Sequence, residues 1–247
     1  MTEIITVAIQ KGGTAKTTTA AALAQAAAYR GRRVLAIDAD PQGNLSVALA
    51  AEIVPGAGNS YNLLEGLPAD QLIQTTPQGL DVIPASWDLS TITSATGSAR
   101  RLQRALEPIK GEYDLIVIDT PPTAGELQYN ALQAATGVII PLQADAYNLQ
   151  SLYQITDTAR QIQQSNQALS IKGILITQYD GRSTLARQMQ AAIITKAAEM
   201  GVPYLGTIRQ AVAVKEAAAL QESLFDYAPK SKPAADYMAL YERLQED

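Results

Sequence analysis

The most informative stretch of this sequence is Lys11-Gly12-Gly13-Thr14-Ala15-Lys16-Thr17-Thr18, which joins an apolar run to an alanine-rich run. This order predicts a buried strand over residues 3–9, a tight loop, and a helix over residues 17–30. Backbone N–H groups and the positive end of the helix dipole favour an anion at such a loop, so the stretch predicts a phosphate-binding site. We expect Lys16 to reach the β- and γ-phosphates of a nucleotide and the Thr17 hydroxyl to ligate Mg²⁺.

Aspartates follow two further apolar runs, at the points where the predicted strands end. Residues 33–38 run into Asp38 and Asp40, and residues 113–118 run into Asp119. An aspartate in such a place is also typical of a turn or a helix cap. Beside a phosphate loop, however, a carboxylate at the C-terminal end of a parallel strand is well placed to bind Mg²⁺, directly or through water. Asp38 and Asp119 are therefore candidate metal-site residues.

Composition limits the classes of protein to which the chain can belong. Of its 247 residues, 47% are hydrophobic and 17% are charged, which is typical of a compact protein with a sizeable core. Cysteine and histidine are absent, which excludes disulfides, thiolate or histidine metal sites, and Ser-His-Asp catalysis. The net charge of −5 argues against a constitutive, highly basic nucleic-acid binder. No stretch resembles a signal peptide or a membrane span, so we expect a cytoplasmic protein.

Predicted strands and helices alternate along the chain. The strands cover residues 3–9, 33–38, 80–84, 113–119, 137–141, 172–177 and 202–208. The helices cover residues 17–30, 62–67, 98–109, 149–164, 184–200, 212–220 and 234–245. This alternation predicts an α/β fold with a doubly wound, mostly parallel twisted sheet flanked by helices. We expect a single domain over residues 1–247, with no helix-turn-helix domain before the phosphate loop.

Several motifs occur in the order found in one family of ATPases. The segment Asp38-Ala39-Asp40-Pro41-Gln42-Gly43-Asn44 matches a DxDPQGN pattern, and Asp119-Thr120-Pro121-Pro122 matches DxPP. Together with the KGGxxKTT loop at residues 11–18, they make the chain resemble the ParA-type, Soj-like partition ATPases, which belong to the deviant Walker A group with MinD. Further matches to the family lie in residues 125–132, 139–143, 177–182 and 227–231. At Ala15 the chain departs from the commoner glycine.

The resemblance implies a role for each motif. The cofactors are ATP and Mg²⁺, and the nucleotide-binding loop comprises Lys11, Gly12, Gly13, Thr14, Ala15, Lys16, Thr17 and Thr18. Asp40 positions the attacking water. Lys11 reaches the phosphates of the other subunit in an ATP-bound sandwich homodimer, where it acts like an arginine finger; a surface salt bridge is the alternative for this lysine. The adenine candidates are Gln178, Arg209 and Gln210, and hydrolysis is slow unless a partner stimulates it.

The resemblance also implies macromolecular partners. ParA-type dimers bind DNA without sequence preference, and lysines and arginines supply the phosphate contacts. The candidates here are Arg187, Lys196, Lys215, Lys230 and Lys232, although scattered solvated charges are an equally simple interpretation of these residues. A ParB-like or other adaptor protein is expected to link the ATPase to its cargo, which is a plasmid, a chromosome or another large assembly.

Two alternatives remain open at this point. MinD-like proteins bind membranes through a basic C-terminal amphipathic helix. Here the apolar face formed by Tyr237, Leu240, Tyr241 and Leu244 is followed by an acidic end, so we expect no membrane contact and a helix packed on the core. The other alternative is a nucleotide-binding switch or scaffold that hydrolyses ATP slowly, for which Ala15 is the evidence.

Overall fold

The computed structural model describes residues 2–53, 58–92, 98–145 and 148–246. Its strands join in one eight-stranded sheet with the order β3-β4-β2-β5-β1-β6-β7-β8. The strands are β1 (Glu3–Val7), β2 (Val34–Asp38), β3 (Gln74–Thr75), β4 (Asp81–Ile83), β5 (Leu115–Asp119), β6 (Gly137–Gln143), β7 (Ser170–Tyr179) and β8 (Tyr204–Arg209). All pairs are parallel except β3 with β4. The predicted mostly parallel sheet is confirmed.

Helices cover both faces of this sheet. They are α1 (Lys16–Tyr29), α2 (Asn44–Ala48), α3 (Ser60–Leu64), α4 (Arg101–Leu106), α5 (Glu126–Ala134), α6 (Asn148–Gln163), α7 (Thr184–Glu199), α8 (Val212–Leu220), α9 (Leu224–Tyr227) and α10 (Lys232–Leu244). Alternate strand residues enter different hydrophobic clusters: Val34 and Ala36 pack with α1 and α10, whereas Leu35 and Ile37 pack with α3 and α4. Because successive strand side chains point to opposite faces, the sheet is doubly wound.

Helix α1 places the phosphate loop against the centre of the sheet. Its alanine-rich sequence favours helix, and the small side chains from Ala20 to Ala27 are buried, which lets the helix lie close to the strands. Gly31 ends the helix at φ 75°, a left-handed conformation that glycine adopts without strain. The backbone N–H of Arg32 then bonds back to the carbonyl of Ala27 at 3.1 Å. The result is a fixed helix whose N-terminus lies at the loop.

The C-terminal helix α10 packs on the core. Tyr237, Leu240, Tyr241 and Leu244 are all buried, and the helix contacts α1 and β8. The apolar face of this helix is therefore occupied by the protein itself, as expected. Among the described residues, no helix has both the length and the apolar character needed to cross a membrane.

The structure differs from the sequence-based elements at several places. The two-residue strand β3 and the short helices α2 and α9 were not predicted, because each is too short to show a periodicity. Helix α5, which follows the DxPP motif, was also not predicted. The basic helix predicted over residues 98–109 is shorter as an α-helix: Ser98–Arg100 is a 3₁₀ turn and α4 ends at Leu106.

Candidate functional site

The loop between β1 and α1 turns sharply at two residues with positive φ. Gly13 has φ 76°, and Ala15, which directly precedes the helix, has φ 62° and ψ 35°. The left-handed region is unfavourable for alanine by roughly 1–2 kcal/mol, which explains in physical terms why glycine is commoner there. The chain nevertheless closes the turn, and the Thr19 N–H bonds to the Ala15 carbonyl at 2.9 Å.

Lys16, Thr17 and Asp119 meet at the mouth of this loop. Lys16 is 7% exposed, and its Nζ donates to the Lys11 carbonyl at 2.8 Å, so the ammonium lies inside the loop. The Thr17 hydroxyl donates to Asp119 Oδ2 at 2.6 Å. The structure thus brings together the predicted phosphate-binding lysine and two of the predicted magnesium residues.

Side chains from neighbouring strands hold the loop in place. Gln143 at the end of β6 and Gln178 near the end of β7 both donate their amide N–H groups to the Gly13 carbonyl, at 2.8 and 2.9 Å. The Thr177 hydroxyl donates to the Thr14 carbonyl at 3.0 Å. Gln178 itself has φ 52°, so a second left-handed residue lies beside the loop. The loop conformation is therefore fixed by groups outside it as well as by its own glycines.

Asp38 is the last residue of β2, and Asp40 lies in the segment that connects β2 to α2. The buried Asp38 carboxylate accepts three hydrogen bonds: Oδ1 from the Asp40 N–H at 3.1 Å, and Oδ2 from the N–H and hydroxyl of Ser46 at 2.8 and 2.7 Å. Asp40 Oδ1 accepts from the Gln42 N–H at 3.0 Å. The structure places Asp40 on the wall of the cleft that contains the loop, together with Lys16 and Thr17.

Burial dominates the electrostatics of these groups. Burial raises the pKa of Asp119 well above 3.8, and the neighbouring Asp38 carboxylate raises it further. Burial also raises the pKa of Asp38 to about 6, against the effect of the hydrogen bonds from Ser46. For Lys16 burial lowers the pKa from 10.5, while Asp119 and Asp40 act in the opposite direction. Ionising these buried carboxylates is costly, and a bound cation offsets that cost. The arrangement therefore favours a cation at this end of the sheet.

The donor set suits Mg²⁺ bound jointly by protein and phosphate. A carboxylate and a hydroxyl, Asp119 and Thr17, are hard oxygen ligands 2.6 Å apart. Among the residues that the structure describes, no group of three or more acidic, histidine or cysteine side chains forms a metal cage. The loop also contains a buried hydroxyl, Thr14 Oγ1, without a hydrogen-bond partner. These residues fit an ion that completes its shell with water and phosphate oxygens.

The residues at the entrance of the loop bond to side chains that follow β6 or belong to α5 and α6. The ammonium of Lys11 lies 3.1 Å from both carboxylate oxygens of Asp145, which follows β6. The side chain of Gln10 bonds to Gln128 of α5 and Thr158 of α6, both at 3.2 Å. Lys11 is thus held within its own subunit by an ion pair, and its expected role across a dimer stays a prediction.

The cleft around the loop has a volume of about 640 Å³ and is bordered by a smaller pocket of about 90 Å³. The smaller pocket is lined by Gln178, Arg209 and Gln210, which the structure brings together beside Ala15. The Arg209 guanidinium also pairs with Asp236, with a contact of 2.9 Å from Nε. The adenine role of the three residues stays a prediction, but their common pocket at the edge of the loop agrees with it.

The basic residues considered for DNA differ in their surroundings. Lys196 pairs with Glu199 at 2.8 Å and lies over the Tyr153 ring, and Arg187 bonds to the carbonyl of Gly181. Within the described part of the chain, the structure shows no ion pair for the other three candidates, which are Lys215, Lys230 and Lys232. Lys215 and Lys232 line one cleft of about 720 Å³ beside the small pocket.

Three residues that contact the site were not found from the sequence. Ser46 belongs to a short helix outside the matched motifs, and Gln143 ends a matched segment that gave it no role at the site. Asp145 also follows a predicted strand, so the rule that found Asp38 and Asp119 applies to it as well. Its signal is weaker because residues 142–144 separate it from the predicted strand, whereas Asp38 and Asp119 come directly at the strand ends.

Comparisons with known proteins show which family this chain resembles over its length. The family profile described as an AAA domain matches residues 2–171. The sporulation initiation inhibitor protein Soj of Bacillus subtilis is 37% identical to this chain over 97% of both proteins. The chromosome-partitioning ATPase Soj of Thermus thermophilus is 37% identical, with 97% of this chain and 94% of that protein covered.

A solved structure is similar over the whole chain. Cobyrinic acid a,c-diamide synthase from Mycobacterium smegmatis, crystallised with an ATP analogue and magnesium, is 32% identical and superposes with a TM-score of 0.86. The alignment covers 100% of this chain and 95% of that one. With the relatives above and the nucleotide loop in place, the chain belongs to the ParA/Soj family of partition ATPases.

Proposed function

We propose that the chain binds Mg²⁺ and ATP at the loop of residues 11–18, forms a homodimer around ATP, and uses hydrolysis to position a cargo along DNA. The cargo is a chromosome, a plasmid or another large assembly. A ParB-like or other adaptor protein stimulates turnover and links the ATPase to that cargo. The protein acts in the cytoplasm, where the ATP-bound dimer associates with the nucleoid.

One observation carries the proposal: the Thr17 hydroxyl lies 2.6 Å from Asp119 Oδ2, directly beside the buried ammonium of Lys16. These three groups supply a metal site and a phosphate counter-charge within one cleft. Phosphoryl transfer depends mainly on positioning and charge compensation, which such a cleft provides.

Each residue of the cleft has its own role in the reaction. Lys16 exchanges its bond to the Lys11 carbonyl for the β- and γ-phosphates. Thr17 and Asp119 hold the magnesium ion, which neutralises charge on the phosphates when it is bound. Asp40 orients the attacking water, with its own carboxylate fixed by the Gln42 N–H. Gln178, Arg209 and Gln210 surround the adenine in the small pocket.

Dimer formation uses the lysine at the entrance of the loop. Lys11 exchanges its ion pair with Asp145 for the phosphates bound to the second subunit, where it stabilises charge in the transition state. Because both side chains of the pair are partly exposed, at 26% and 35%, the ion pair contributes little to stability, and breaking it costs about 1 kcal/mol or less. ATP thereby links nucleotide state to oligomeric state.

DNA binding uses lysines whose charges are presented to solvent. We assign the phosphate contacts to Lys215, Lys230 and Lys232, and a minor share to Arg187 and Lys196, because the last two already bond within the protein. A dimer doubles any such patch. Contacts of this kind weaken steeply with salt and do not depend on DNA sequence.

Size-exclusion chromatography with ADP and with ATP tests the dimer. We expect a dimer with ATP only, and none for Lys11→Ala although it still binds ATP. The matched control is Lys110→Ala, because Lys110 is also a lysine in a surface ion pair, with Glu107, and lies away from the cleft. A monomeric wild-type protein in saturating ATP would contradict the proposal.

Titration of the ATP-bound protein with random-sequence DNA at two salt concentrations tests the proposed DNA binding. Replacing Lys215, Lys230 and Lys232 together by alanine should abolish binding that Lys110→Ala retains. Binding that is insensitive to salt, or equal in both variants, would contradict the assignment.

The second candidate function is a nucleotide-dependent switch that scarcely turns over. The observation that favours it is the left-handed Ala15, whose methyl group stands at the rim of the phosphate loop. ATP turnover measured alone, with DNA, and with DNA and an adaptor protein separates the two functions. Stimulated turnover supports the ATPase cycle, and no stimulation supports the switch.

A further inference from the structure

Ser46 joins two strand ends through one buried hydroxyl. It is the third residue of α2 and is 0% exposed. Its hydroxyl donates to Asp38 Oδ2 at 2.7 Å and accepts from the Ala85 N–H, beyond β4, at 3.0 Å. Its backbone N–H donates to the same carboxylate oxygen at 2.8 Å. A five-residue helix is thus tied to both β2 and the segment after β4.

A second serine, Ser60, bonds to the backbone of the same region. The Ser60 hydroxyl, at the start of α3, donates to the Asp38 carbonyl at 2.6 Å and lies 3.2 Å from the Pro84 carbonyl. The Ser60 N–H also bonds to the Pro84 carbonyl at 2.8 Å. The backbone at Asp38 is therefore fixed by one serine and its carboxylate by the other.

The Asp38 carboxylate is the centre of the resulting network. Its other oxygen accepts the N–H of Asp40, so the position of Asp38 determines where the Asp40 backbone begins. The segment of residues 40–46, a loop and the first turn of α2, is bonded at both ends to this one side chain. A shift of Asp38 moves the loop, and with it the Asp40 side chain on the wall of the cleft.

We infer that Ser46 is a positioning residue for ATP hydrolysis: by anchoring the Asp38 carboxylate it fixes the loop that carries Asp40. The inference rests on the proposed role of Asp40. Ser46 touches neither the phosphate loop nor the cleft, so it acts only through Asp38. Because a misplacement of about 1 Å costs on the order of 100-fold in rate, loss of the anchor affects turnover much more than binding.

Removing the hydroxyl changes specific contacts. Ser46→Ala leaves the Asp38 carboxylate with two of its three hydrogen bonds and leaves the Ala85 N–H without its acceptor. Ser46→Thr keeps a hydroxyl that can make both bonds. The phosphate loop, Thr17 and Asp119 are unchanged in both variants.

The experiment measures kcat, ATP affinity and thermal unfolding for Ser46→Ala, Ser46→Thr and Asp40→Ala in the full chain. We expect kcat of Ser46→Ala to fall about tenfold or more, with ATP affinity within about threefold of the wild type. Ser46→Thr should recover most of the lost turnover. The control is Ser151→Ala, a buried serine of α6, which should keep wild-type turnover.

A double variant excludes a merely structural role. In the Asp40→Ala background, Ser46→Ala should lower turnover no further, because the group that it positions is already absent. Additive losses, or equal losses of ATP affinity and kcat in the folded Ser46→Ala protein, would overturn the inference. Unchanged turnover of Asp40→Ala would overturn the role of Asp40, whereas an inactive Asp40→Ala beside a fully active Ser46→Ala would overturn only the anchoring role of Ser46.

Discussion

The ends of β2 and β5 look alike in sequence and differ in what surrounds them. The two strands are neighbours, and their last residues, Asp38 and Asp119, are partners in the register. Both side chains are fully buried. Yet Asp119 accepts the hydroxyl of Thr17 from the phosphate loop and the N–H of Thr120, whereas Asp38 accepts from Ser46 and the Asp40 N–H.

The difference separates a ligand-facing carboxylate from a protein-facing one. Asp119 bonds to a group that is itself a candidate magnesium ligand, so a cation entering the site meets it directly. Asp38 instead accepts hydrogen bonds from Ser46 and the Asp40 N–H, neither of which is a candidate magnesium ligand, so any support that it gives to the magnesium shell passes through the loop of Asp40. We therefore expect identical residues at paired strand positions to perform different tasks, according to which loop lies opposite.

The largest effect is expected from Asp119→Asn. The amide lacks the charge that Mg²⁺ requires, so turnover should fall by about 100-fold or more and ATP binding should no longer depend on Mg²⁺. Isothermal titration with and without Mg²⁺, together with a phosphate-release assay, measures both. Magnesium-dependent binding as strong as in the wild type would remove Asp119 from the metal site.

The same substitution at the neighbouring strand, Asp38→Asn, should have a smaller and different effect. We expect turnover to fall about tenfold because the Asp40 loop loses its anchor, while ATP binding keeps its dependence on Mg²⁺. The two titrations used for Asp119→Asn check this. If both variants lose magnesium dependence equally, the two aspartates are both metal ligands and the contrast between them is wrong.

The third, intermediate effect concerns how the free energy of unfolding changes with pH. The folded-state pKa of Asp119 lies above its unfolded value of 3.8, so this residue favours folding least at high pH, where it must ionise while buried. Asp119→Asn should therefore be more stable than the nucleotide-free wild type at pH 8. The difference should shrink as the pH falls from the raised folded-state pKa toward 3.8, and below 3.8 the wild-type carboxyl is neutral in both states. Urea unfolding at several pH values measures it, and a difference that grows on acidification would show the opposite sign.

The smallest effect is expected in the loop that lies opposite Asp119. Ala15→Gly relieves a left-handed alanine but makes the unfolded chain more flexible, so the free energy of unfolding should rise by no more than about 1 kcal/mol. Thermal unfolding checks this, with Ala28→Gly inside α1 as the control that should destabilise. A loss of stability on Ala15→Gly would mean that the methyl group makes a contact worth more than the strain.

The phosphate site was predictable because its residues follow local rules. A glycine-rich turn after an apolar run gave the loop with Lys16 and Thr17, and a carboxylate after a buried strand gave Asp119. Their meeting at 2.6 Å follows from parallel strands that end at the same edge of the sheet. The α/β alternation and the buried face of α10 were likewise visible as periodic patterns.

The supporting contacts depend on tertiary structure. Ser46 lies in a helix of five residues, too short for a periodic signal, and its partner Ala85 is far along the chain. The pairing of Lys11 with Asp145 joins residues more than a hundred positions apart. Such contacts are fixed by the strand order, which the sequence pattern alone does not specify.

The two glutamines that donate to the Gly13 carbonyl affect the rate at which the nucleotide binds. Because Gln143 and Gln178 secure the cradle from adjacent strands, its shape exists before any nucleotide arrives. The nucleotide then binds to a preformed surface, and little conformational entropy is lost in ordering the backbone. Association should accordingly be rapid and similar for ADP and ATP, and discrimination between them should reside in how long each remains bound.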